Sequence, residues 1–90
     1  MSLKEPTSFE EVEQLVVGEH ESTGQPWHVC LRTRIAHLDI LLDRNDEQKR
    51  AELRALQAAI NLQDKKHETM PPEVRRQLIE RLARFYQSAA

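Results

Sequence analysis

Glycine is nearly absent from this chain, with Gly18 and Gly24 the only two in 90 residues. A loop that cradles phosphate needs several glycines so that backbone N–H groups can approach the anion, and no such loop exists here. Cysteine is scarcer still. A lone Cys30 cannot form an internal disulfide, and a reducing cytosol is the simpler setting for it. No apolar run approaches the ~20 residues that span a bilayer. The opening Met1-Ser2-Leu3-Lys4-Glu5-Pro6 also lacks the basic-then-apolar pattern of a secretory signal. We therefore expect a cytoplasmic protein that does not enter membranes.

Metal and nucleophile chemistry fare no better. Structural zinc needs four nitrogen or sulfur ligands converging on one point. The donors are Cys30, His20, His28, His37 and His67, with no Cys-x-x-Cys or His-x-x-x-His spacing among them. His28 and Cys30 are two apart, so on a helix they point about 160° away from each other. Cys30 and His37 share a face but lie two turns apart, about 10 Å. A thiol on an apolar helix face, with no base beside it, is inert. No catalytic residue, cofactor or metal is expected; a metal- or haem-binding helical protein is a third option, which an absorption spectrum or elemental analysis would reveal.

What the chain does have is helix-forming residues in amphipathic order. Hydrophobic residues make up 39% and charged residues 31%, a balance that suits one small globular domain. A monomer of this mass would bury roughly 64% of its unfolded surface, enough for a modest core. We read residues 1–90 as a single helical domain, with 1–7 flexible.

Ser8-Phe9-Glu10-Glu11 fits a capping box opening a first helix over 8–17, with Gly18 placed to end it. Residues 19–25 then read as a loop, with Pro26 as the first residue of a long helix over 26–43. In a competing reading, Gln14–Val17 and Trp27–Leu31 pair as a β-hairpin. The helical spacing of Leu31, Ile35, Leu38 and Leu42 argues against that. Asn45 with Gln48 suggests a second capping box, opening a third helix that runs to about Lys66. A short linker over 67–70 and Pro71-Pro72 lead into a last helix over 72–87, whose apolar side carries Val74, Leu78, Leu82 and Phe85.

Two of these helices carry two apolar faces each. At about 100° per residue, Trp27, Leu31, Ile35, Leu38, Leu41 and Leu42 form a broad stripe. Val29, Ala36 and Ile40 form a narrower one opposite. In the third helix Leu53, Leu56 and Ile60 make a ridge of large residues, while Ala51, Ala55, Ala58, Ala59 and Leu62 make a smoother one. Both flanks of the long helix are expected to be covered, by this chain or by a second copy, which favours a homodimer over a monomer. Arg34 falls inside the main stripe, so it must snorkel, stack on Trp27 or meet a carboxylate from Glu10–Glu13.

Charge is uneven. Residues 1–21 carry a balance of −5 and residues 22–90 a balance of +3, so the acidic segment is suited to a basic face on this chain or a neighbour. Arg75, Arg76, Arg81 and Arg84 make the last helix basic.

These features predict an all-α bundle of three to four helices built on an antiparallel helical hairpin. The leading functional reading is a non-catalytic protein-interaction module: a small adaptor, chaperone-like partner or regulatory subunit. It would use Trp27, Leu31, Arg34, Leu38, Val74, Leu78, Leu82, Phe85 and Tyr86, as core or as interface, for a protein partner or itself. The alternative is a small nucleic-acid-binding regulator using Arg75, Arg76, Arg81 and Arg84.

Overall fold

The computed structural model describes residues 8–66 and 70–89. Among these are four helices: α1 (Phe9–Thr23), α2 (Trp27–Leu41), α3 (Glu47–Lys66) and α4 (Pro72–Ala89). They contain no strand, so residues 12–31 form a helix–turn–helix and the hairpin alternative falls. The flexibility expected of residues 1–7 and the first three residues of the linker expected over 67–70, including His67, lie outside the described residues.

The first cap is where the sequence put it. Ser8 Oγ accepts the Glu11 N–H at 3.2 Å and donates to the Glu11 carboxylate at 3.1 Å. The expected end is not. α1 runs straight through Gly18 to Thr23, and Gly24, at φ 71°, closes it by donating its N–H to the His20 carbonyl. A glycine permits termination without enforcing it; inside a helix it costs only about 1 kcal/mol. Local bonds hold the added turns. Thr23 Oγ1 donates to the Glu19 carbonyl at 2.6 Å and accepts the Gln25 N–H at 3.2 Å. The His20 ring stacks on Trp27 with centroids 3.7 Å apart.

Pro26 stands just outside α2, in extended backbone, and its carbonyl accepts the Val29 and Cys30 N–H groups. It is therefore the cap position and not the first helical residue. α2 stops at Leu41, two residues before the expected end, because Leu42 turns extended at ψ 144°.

At the corner, Asp43 Oδ1 accepts the Asn45 N–H at 2.9 Å, which draws Asn45 into the turn. Asp46 takes over the cap of α3, accepting the Lys49 N–H at 3.0 Å. A carboxylate suits that position better than an amide, because the helix N-terminus carries partial positive charge.

Arg50 locks this corner. It pairs with Asp39 at 2.7 Å and donates to the carbonyls of Asp39, Leu42 and Asp43. Those carbonyls lie at the end of α2, where helical partners run out. Together with the Arg32–Asn61 bond at 3.2 Å, it shows α2 and α3 antiparallel, as expected.

α2 and α4 each touch all three other helices, whereas α1 and α3 do not touch one another. The core lies around this central pair. Leu31, Ile35 and Leu38 of α2, with Leu42 just beyond its end, meet Val12 and Val16 of α1, the Leu53–Leu56–Ile60 ridge of α3, and Leu78, Ile79, Leu82 and Tyr86 of α4. The second flanks are a different matter. Ala36 is exposed, Ile40 is 81% exposed, and Val29 is half-buried. Ala51, Ala55 and Ala58 are exposed, and Leu62 is 48% exposed. The expectation that α2 is covered on both flanks is thus not met within one chain. Three small or isolated residues expose little apolar area, so leaving them in water costs little.

Three outcomes follow. Gly18→Ala should raise the free energy of unfolding by about 0.4–1 kcal/mol in urea melts, since a Cβ there meets nothing within 4 Å. Arg50→Met should lower it by about 1–3 kcal/mol, because several carbonyls lose their donor. Asp39→Ala should cost under about 1 kcal/mol, its carboxylate being 64% exposed.

Candidate functional site

α3 and α4 both lean on α2 and meet each other over only a short stretch, so they splay apart on the outside. The gap is an open groove of about 350 Å³ lined by Lys49 and Glu52 of α3 and by Arg81, Arg84, Phe85 and Ser88 of α4. Lys49 spans it, with Nζ 3.4 Å from the Ser88 carbonyl and 4.0 Å from the Asp46 carboxylate. Arg81 and Arg84 make no ion pair among the described residues, and Phe85 is half-buried against the core. The groove therefore offers three cations, one carboxylate and an aromatic wall.

The four arginines of α4 do not act together. Arg75 lies over the Trp27 ring at 4.2 Å, completing a sandwich whose other face is His20. His20 is fixed in turn by its Nδ1 bonding to the Gln25 carbonyl at 2.6 Å. Arg76 lies over Phe9 at 5.7 Å and pairs with Glu80 at 3.7 Å. Only Arg81 and Arg84 reach the groove. Helical geometry explains the split, since Arg75 and Arg84 point about 180° apart.

The other expected interface residues fall into two groups. Leu31, Leu38, Leu78, Leu82 and Tyr86 fill the core of the single chain, whereas Trp27, Arg34, Val74 and Phe85 are half-buried. The Tyr86 hydroxyl lies 2.9 Å from His37 Nδ1, a partner that a buried phenol requires. Arg34 finds both faces of Trp27 taken. It makes no ion pair with Glu10, Glu11 or Glu13 among the described residues, and its Nε is buried without a hydrogen-bond partner.

A second, smaller depression lies between α2 and α3, bordered by Arg32, Arg50 and Arg54. Arg32 and Arg50 are tied to Asn61 and to the end of α2, so this face is chiefly structural. Sequence reasoning missed Lys49, Glu52, Ser88 and Arg50. Only the doublet of Lys49 and Arg50 after a cap hinted at them, and which of the two faces α4 depends on how the helices are rotated against each other.

Cys30 is buried, and burial, reinforced by the negative charge of Glu19, pushes its thiol above the ordinary 9.0. Among the described residues no group of His, Cys, Asp and Glu is arranged to hold a metal ion, and no helix is long and apolar enough to cross a membrane. Compared with protein-family models, characterised proteins and solved structures, the chain gives no match.

Because the folded state holds the thiol protonated, the stability that this contributes is full below the unfolded value and is lost as pH rises through the folded one. Native protein at neutral pH should accordingly resist a thiol reagent such as DTNB, then react fully once unfolded in guanidinium. Rapid reaction of the native state would contradict the burial.

Proposed function

We propose that this chain is a non-catalytic protein-interaction module, a small adaptor, chaperone-like or regulatory subunit that works in the cytoplasm. Its docking surface is the α3/α4 groove, and its partner is a protein, a second copy of the chain included. The observation that carries this reading is the groove itself, lined by half-buried Phe85 together with Lys49, Arg81 and Arg84, the two arginines making no ion pair among the described residues. Aromatic and arginine side chains supply much of the binding energy in protein interfaces. An open trough between two helices suits an amphipathic helix laid along it.

The split of the α4 arginines supports a protein partner over nucleic acid. Phosphate contacts gain from one continuous cationic strip. Here Arg75 and Arg76 are engaged with Trp27, Phe9 and Glu80, away from Arg81 and Arg84.

The test is a cross-linked pull-down with the tagged full chain from its native source. Arg84→Glu should abolish capture of a specific protein, while Arg54→Glu, on the α2/α3 side, should leave it intact. Retention of every captured protein by Arg84→Glu would remove the groove from the account. Salt-sensitive binding of mixed-sequence duplex DNA that disappears with Arg84→Glu would move the reading to nucleic acid.

A further inference from the structure

Resting on that docking reading, we propose that the occupant of the α3/α4 groove is the outward face of α1 from a second copy of this chain. Three independent features of α1 point there. The first is charge: α1 contains five glutamates and neither lysine nor arginine. Glu10 and Glu21 are exposed on its outer arc, opposite in charge to the Arg81 and Arg84 that line the groove. Complementary potentials of this kind favour encounter and fix register.

The second feature is apolar. Leu15 is 41% exposed at the edge of the same arc, a natural counterpart for Phe85 in the groove wall. The third is Gly18. It sits in mid-helix on the exposed side, and a Cβ added there would meet nothing within 4 Å. Its φ is not positive either, so nothing among the described residues calls for glycine at that position. A bare backbone on a helix surface does let another helix approach closely.

The two surfaces cannot satisfy each other inside one molecule, because α1 makes no contact with α3. The contact is patch to different patch. It therefore closes as a reciprocal pair, each α1 in the other's groove, or continues from copy to copy.

The experiment uses the purified full chain and no other ligand. Sedimentation equilibrium is run at about 0.01 M and about 1 M salt, over which the Debye length falls from about 30 Å to about 3 Å. Wild type should associate with rising concentration at low salt and return toward monomer at high salt. Arg84→Glu and Glu21→Arg should each weaken association by about tenfold, and the double variant should recover it. Gly18→Leu should weaken it while helix content by circular dichroism stays unchanged.

A monomeric wild type up to about 1 mM at low salt, association indifferent to salt or to both charge reversals, or a double variant that recovers nothing would each overturn the proposal. None of those results touches the groove as a site for a different protein, which the pull-down with Arg84→Glu decides separately.

Discussion

Burial of the broad stripe on α2 is the contact on which the remainder of this fold is built. Leu31, Ile35, Leu38 and Leu42 present one apolar face that three other helices close over. Each such side chain contributes about 1.5–3 kcal/mol when removed from water, against about 0.5–1.5 kcal/mol for a typical hydrogen bond. Because α4 shares the centre with α2, α1 and α3 are held on opposite sides and do not meet. The groove between α3 and α4 is the consequence. Two helices that both lean on a third leave a trough between their outer faces, and whatever their sequences place there is offered to solvent.

Polar contacts then fix how the helices sit on that centre. Arg50 is the clearest case, since one guanidinium answers several carbonyls that α2 leaves unbonded and pins the start of α3 beside them. The Trp27 sandwich acts at the other end of α2. His20 and Arg75 on its two faces join α1, α2 and α4 at one ring. That junction also removes Arg75 from the basic surface of α4. The arginines of the last helix therefore differ in setting: Arg75 and Arg76 lie over rings of α2 and α1, whereas Arg81 and Arg84 line the groove with α3.

Much of this could be read from residue order alone. Local rules are strong where a few neighbouring atoms decide the outcome. Ser8 with Glu11, the double proline at 71–72, and the large-residue ridges of α3 and α4 all fall in that class. The misplaced boundaries share a cause. Gly18 and Gly24 are equally able to end a helix, and a stacking contact from Trp27, beyond the helix itself, selected the second. Asn45 and Asp46 are both competent caps, and the Asp43 carboxylate, by claiming the Asn45 N–H, selected the latter.

Periodicity established that α2 and α3 have two apolar sides each, because side-chain direction follows from helical geometry. It could not establish which side would face protein. That depends on how many neighbours fit around a helix and on their rotation about their own axes, quantities summed over contacts far apart in the chain. The same holds for the basic residues. Four arginines within ten positions are a local fact; that two of them lie against aromatic rings and two beside Lys49 is a matter of packing. Composition and spacing thus specify the helices and their greasy ridges, while the groove exists only once α2 has gathered the others around it.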